Sequence, residues 1–258
     1  MASEVTDNAW LRALRTDRIW QLMAVNLLVF LGLHIASWCG VSGAALASAV
    51  ALPADFASAV THPWTVVVYM FVQYDFFHFI FNMMWLWTFG MLMMRLMVSG
   101  RTILTAYFAG GLAAAAVWLA LGAMGRARDV LLGSSAAVLS VIAAGGVILG
   151  RTRVELMLFG SVQVRWLALA IIGLCILTDG TVQGAATVAV HATGVAAGAL
   201  TGVPALRPSR RRASHVSDAD DQRTLDALLD KVHKGGYGAL SAAERNKLFT
   251  ISSRLSKK

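Results

Sequence analysis

Between Ile19 and Met94 the only formally charged side chains are Asp55 and Asp75. A stretch that long with two charges cannot cover itself with a water-compatible surface, so most of it must lie in lipid. The whole chain agrees: 57% of its residues are hydrophobic and 14% charged, and its mean hydropathy is +0.65. These values exclude an ordinary soluble globule, and they exclude disorder over most of the length. Crossing a hydrocarbon core of ~30 Å takes about 20 residues at ~1.5 Å each. Six apolar stretches qualify, near Ile19–Cys39, Phe76–Met94, Ile103–Ala123, Ser135–Leu149, Trp166–Leu177 and Gly184–Val203. The fourth and fifth are short, and their ends are expected to extend into flanking residues. The expected fold class is all-α, a polytopic membrane bundle of six helices with a small cytoplasmic helical hairpin.

The arginines set the orientation. With the first helix starting inside, the inner segments carry Arg12, Arg15, Arg18, Arg95, Arg101, Arg151, Arg153, Arg165 and the Arg207–Arg212 cluster, while the outer loops carry only Arg126 and Arg128. This is the positive-inside pattern, and it places both termini in the cytoplasm. A cleavable signal peptide is the competing reading of the first span, because Leu46-Ala47-Ser48-Ala49 is a small-residue stretch. The length of the apolar run and the mixed charge before it favour a retained span. The outer segment Ser42–Tyr74 has no Lys or Arg and is apolar enough to lie in the headgroup plane, with a short interfacial helix ending near His62-Pro63.

The formal charge of +8 suggests nucleic acid until its distribution is read. From Arg207 onward there are twelve Lys or Arg and six acids, so most of the excess sits in the tail. The tail lacks aromatic interleaving, and no nucleic-acid partner is expected. Residues 1–18 read as a cytoplasmic segment, 19–205 as the six-span domain, 206–222 as a basic then acidic linker, and 223–258 as a small helical domain. Within the last, Leu225, Leu228, Leu229 and Val232 recur at helical spacing, Gly235-Gly236 stops the helix, and Ser241 to Glu244 forms a capping box that opens a second helix. Cys39 and Cys175 have no metal-ligand spacing and read as free thiols. No metal and no cofactor is expected.

Polar groups at bilayer depth must find partners inside a bundle. His78 and Asn82 lie one turn apart on the second span, Ser135 opens the fourth after Gly133-Ser134, and His191 lies on the sixth. Taken from the outer ends of these inward-running spans, Asn82 is ~6 Å deeper than His78 and His191 is ~10 Å down. All four converge at one level just below the outer face. A serine and a histidine at equal depth form a nucleophile and base pair, and a helix N-terminus at Ser135 offers N–H groups to a developing oxyanion. Gly194, Gly198 and Gly202 form a stripe that lets a neighbouring backbone approach. Ala136, Ala137 and Ala144 give it a matching small surface. Taken singly, each feature is ordinary: a lone membrane serine bonds its own backbone, and a glycine stripe means tight packing. His34 has no partner in this pattern and reads as structural.

The strings His62-Pro63-Trp64, His78-Phe79-Ile80-Phe81-Asn82 with Trp85, Trp87 and Gly90, Gly133-Ser134-Ser135, and His191-Ala192-Thr193-Gly194 with Gly198 resemble the rhomboid family of intramembrane serine proteases over about residues 19–205. The resemblance implies Ser135 as nucleophile, His191 as base and later acid, and His78, Asn82 and the Ser135 N–H as the oxyanion hole. Gly133, Gly194 and Gly198 would pack the dyad. It also implies that membrane-spanning proteins are the substrates and that a bacterial inner membrane is the location. The chain departs from the family pattern at Gln73, Ala136, Leu139, Met94 and Thr65. These departures keep open the alternative of a non-catalytic relative that binds membrane clients.

Overall fold

The computed structural model describes residues 17–156, 160–182, 184–205, 210–236 and 240–255. The chain divides into two compact units, Met1–Leu206 and Arg207–Lys258. The first is an all-α polytopic bundle. Its long helices are α1 (Arg18–Trp38), α5 (Phe76–Arg95), α6 (Gly100–Ala123), α7 (Ser135–Ile148), α8 (Val164–Val182) and α9 (Ala185–Ala205). Each covers one apolar stretch of the sequence. Four helices (α1, α5, α6 and Ala185–Val203 within α9) are long and apolar enough to cross a membrane, and Ser135–Ile148 and Val164–Thr178 are shorter apolar helices.

The shortness of α7 has a cause in its place. Its 14 residues reach only ~21 Å, less than a hydrocarbon core. It packs on α5, α6, α8 and α9, and every residue from Ala136 to Gly145 is buried. A helix so enclosed meets protein and not lipid, so it need not match the bilayer.

Small residues bring its neighbours close. A Cβ at Gly198 would overlap the Ser140 carbonyl, and one at Gly194 the Ala136 carbonyl, so α9 lies directly on the α7 backbone. On the other side Gly110 of α6 admits the Ser140 side chain, whose hydroxyl donates to the Ala106 carbonyl at 2.6 Å. Apolar attraction between helices is weak when lipid is the alternative, so such close contacts and internal hydrogen bonds hold the bundle.

The segment between α1 and α5 is more structured than a single interfacial helix. It contains α2 (Gly43–Val50), a short strand β1 (Leu52–Pro53), α3 (Phe56–Thr61), α4 (Thr65–Val68) and a 3₁₀ turn at Tyr69–Phe71. Asp55 caps α3 by accepting from the Ser58 N–H at 2.8 Å. That bond and the Ser58 hydroxyl hold the Asp55 carboxyl below its ordinary range. The helix ends at Thr61, where Pro63 disfavours the α conformation for His62. Strand β1 pairs antiparallel with β2 (Val130–Leu131), Leu52 opposite Leu131 and Pro53 opposite Val130. The loop is thereby tied to the residues that lead into α7. A β-hairpin, β3 (Arg153–Leu156) with β4 (Gly160–Gln163), joins α7 to α8.

Helix α1 is bonded into the bundle. Buried Asn26 donates to the Tyr107 hydroxyl at 3.2 Å, which donates to the Met70 carbonyl at 2.8 Å. Phe30 stacks on Phe79 of α5, ring centroids 4.3 Å apart. His34 bonds its own helix, Nδ1 lying 2.9 Å from the Phe30 carbonyl oxygen.

The second unit is a hairpin of α10 (Arg210–Gly235) and α11 (Ala242–Leu255). Sequence reading places a linker over 206–222, whereas the helix already runs from Arg210. The Arg-rich and acidic stretches differ in charge but contain no Pro or Gly between Arg210 and Lys234 to interrupt a helix. The capping box forms: the Ser241 N–H donates to Glu244 Oε2 at 2.8 Å, and the Glu244 N–H donates to Ser241 Oγ at 3.3 Å. Leu228, Leu240 and Ile251 are buried in this unit.

Candidate active site

The N-terminal ends of α5, α7 and α9 meet at one cavity. Asp75 caps α5, accepting from the His78 N–H at 2.6 Å, and this sets where His78 and Asn82 project on the first two turns. Ser135 is the first residue of α7, preceded by Gly133 at φ +119°, a conformation that favours glycine. The Gly133 N–H donates to the Tyr69 carbonyl at 3.1 Å. Tyr69 is fixed in turn by its hydroxyl, which donates to the Gly111 carbonyl at 2.6 Å, and burial pushes its phenol up. The first intrahelical bond of α7 runs from the Val138 N–H to the Ser134 carbonyl at 2.8 Å. The N–H groups of Ser135, Ala136 and Ala137 therefore precede the ladder, at the positive end of the helix.

Ser135, His78, Asn82 and His191 line one cavity of about 390 Å³. Ser135 Oγ lies 2.6 Å from His78 Nε2. The remaining walls are largely apolar, with Phe81 and Trp85 from α5 and Leu174, Cys175 and Thr178 from α8. Ser135, His78 and His191 also line a second cavity of about 280 Å³, whose other walls include Gln73, Tyr74, Asp75, Trp118 and Thr187. Gln73 Nε2 and Trp118 Nε1 are buried without a protein partner. The Ser135 hydroxyl thus stands between a greasy recess and a more polar one.

The four polar residues singled out by depth come together, and Gly194 and Gly198 lie on the backbone of the serine-bearing helix. Two features were not legible in the sequence. His78 stands against the serine hydroxyl itself, and Asn82 Nδ2 donates both to Gln73 Oε1 and to the His78 carbonyl, each at 3.0 Å. The first depends on side-chain rotamers. The second joins residues across the start of α5, where the chain turns, so helical periodicity does not relate them.

A polytopic helical bundle with serine and histidine lining one cavity among its helices defines a class of multi-pass integral membrane protein. The family model of the Rhomboid domain matches residues 60–208, and the chain belongs to the rhomboid family. Members of that family are generally intramembrane serine proteases that act on membrane-protein substrates in the bilayer, and inactive members exist. A comparison with curated proteins finds no match.

Proposed function

We propose that this chain is an intramembrane serine endopeptidase. It hydrolyses peptide bonds of membrane-spanning substrates near the outer face, with Ser135 as nucleophile and His191 as base. The observation that carries this reading is the Ser135 hydroxyl at the start of a buried helix, in one cavity with His191 and His78. With Nε2 protonated, His78 donates to Oγ, which leaves the serine proton free for His191. Oγ then attacks the substrate carbonyl carbon, and the oxygen gains charge beside the Ser135 N–H, His78 and Asn82. His191 returns the proton to the leaving amine, water attacks the ester, and the serine is regenerated.

The two cavities support a division of labour. A helical peptide bond is shielded by its own hydrogen bonds, so a substrate must extend locally before Oγ reaches its carbonyl. The apolar recess between α5 and α8 suits such a segment, and the polar one suits water. Both termini are assigned to the cytoplasm on the distribution of arginine.

Labelling of the detergent-solubilised protein with a fluorophosphonate tests the reading. Wild type is expected to label, and Ser135→Ala and His191→Ala are expected not to. His78→Ala is expected to label about 10²–10³ times more slowly, as for loss of one oxyanion donor. Labelling that survives in Ser135→Ala refutes the assignment, and labelling that survives in His191→Ala transfers the base to His78. A second reading, a non-catalytic relative that binds membrane clients, is favoured by the engagement of both Asn82 amide hydrogens within the protein. It predicts that Ser135→Ala retains cellular function.

A further inference from the structure

The orientation of the Asn82 amide is fixed by what faces it. The His78 carbonyl oxygen can only accept, so the Asn82 atom 3.0 Å away is the nitrogen. The Gln73 atom 3.0 Å from that nitrogen is accordingly its oxygen. An amide nitrogen has two protons, and both are committed. At the cavity wall Asn82 is left with Oδ1 as its free group, an acceptor, where a developing oxyanion requires donors. Gln73 is 3% exposed and its Nε2 has no partner, so this contact persists although it leaves a buried donor unpaired.

We infer that Gln73 is a positioning residue that withholds the Asn82 N–H from a bound substrate and releases it to the oxyanion. The inference rests on the proposed serine chemistry for its catalytic consequence, and on the geometry alone for the withheld proton. A neutral substrate carbonyl is no better an acceptor than Gln73 Oε1, so nothing draws the N–H across in the ground state. A charged oxygen accepts roughly twice as strongly and wins the exchange. Asn82 then stabilises the transition state without tightening substrate binding, which is the condition under which a contact raises kcat. Gln73 would thereby set when Asn82 acts.

The experiment uses the full chain in detergent micelles with ¹⁵N-labelled asparagine, and reads hydrogen exchange at the Asn82 side-chain amide in wild type, Gln73→Met and Gln73→Glu. The methionine keeps the bulk and loses the acceptor; the glutamate keeps an oxygen in the same place. Exchange about tenfold faster in Gln73→Met than in wild type is expected, as for loss of one hydrogen bond, with the slow rate kept in Gln73→Glu. Equal rates in wild type and Gln73→Met overturn the inference, whether or not the chain cleaves anything. Kinetics on a single-span reporter substrate supply the second readout. Gln73→Met is expected to lower KM several-fold with kcat little changed, since the freed N–H then binds ground and transition states alike. A lowered kcat at constant KM overturns it. Absence of Ser135-dependent cleavage in wild type counts against the protease reading alone, and the amide exchange still decides the role of Gln73.

Discussion

Substitution of Gly198 by alanine separates backbone packing from helix propensity as the reason for the glycine stripe. The added Cβ would lie 2.6 Å from both the carbonyl carbon and the Cα of Ser140, where carbon atoms pack at about 3.5–4.0 Å. Backbone cannot rotate aside, so α9 must withdraw from α7 by about 1 Å, and overpacking of this kind costs about 1–3 kcal/mol. His191 lies two turns back along α9, ~10 Å from Gly198, so the shift carries the histidine away from Ser135. Such a displacement is expected to slow acylation by about 10²-fold. Two further glycines act as controls. At Gly202 the nearest atoms are 3.1–3.2 Å away and the contacts are chiefly Val147 side chain, so a small loss is expected. At Gly173 of α8 nothing lies within 4 Å, and alanine is expected to gain up to about 1 kcal/mol from helix propensity. Thermal unfolding in micelles reads the series, at about 2–4 °C per kcal/mol for a chain of this size. Gly198→Ala and Gly194→Ala should melt below wild type, Gly202→Ala slightly below, and Gly173→Ala at or above it. A Gly198→Ala protein that melts together with Gly173→Ala would refute the close-packing argument.

Two further outcomes follow from single groups. Tyr69→Phe removes the hydroxyl that donates to the Gly111 carbonyl and is expected to cost about 0.5–1.5 kcal/mol, measured by thermal unfolding. Glu244 is held down to about 2, first by its bond to Lys231 and then by the Ser241 N–H. A carboxyl whose folded pKa is depressed stabilises the fold above its unfolded value of 4.5, and that contribution fades as pH falls toward about 2. Carboxyl titration by NMR should show Glu244 still ionised below its unfolded value of 4.5, and Lys231→Met should raise its midpoint.

The six helices were legible because each needs a length of apolar sequence that nothing else in the chain imitates. Phe76–Arg95 begins at the residue after its Asp75 cap and ends in Arg95, the basic residue of its last turn. The loop from Ser42 to Tyr74 was less legible. Its helices are four to eight residues long, too short for a 3.6-residue period to declare itself, and the pairing of Leu52 with Leu131 joins residues far apart in sequence. Tail helix α10 is hard to read from the sequence because a change in charge looks like a boundary, although no glycine or proline falls between Arg210 and Lys234. At the site, depth and direction sufficed to bring Ser135, His78, Asn82 and His191 to one level. Which atom of each faces which partner depends on rotamers and on Gln73, which lies before the α5 cap and belongs to no periodic pattern.

The bond from Asn26 to Tyr107 bears on where the working domain begins. The family match starts at residue 60, after the whole of α1, yet a chain cut there would leave the Tyr107 hydroxyl without its Asn26 partner and Phe79 without the ring stacked on it. It would also empty the notch at Gly90, which the Ile19 side chain fills. Tyr107 also holds the Met70 carbonyl, next in sequence to the tyrosine that anchors the loop before Ser135. Helix α1 is thus part of the folded bundle that holds the loop before Ser135, and a fragment that keeps this fold has to include it.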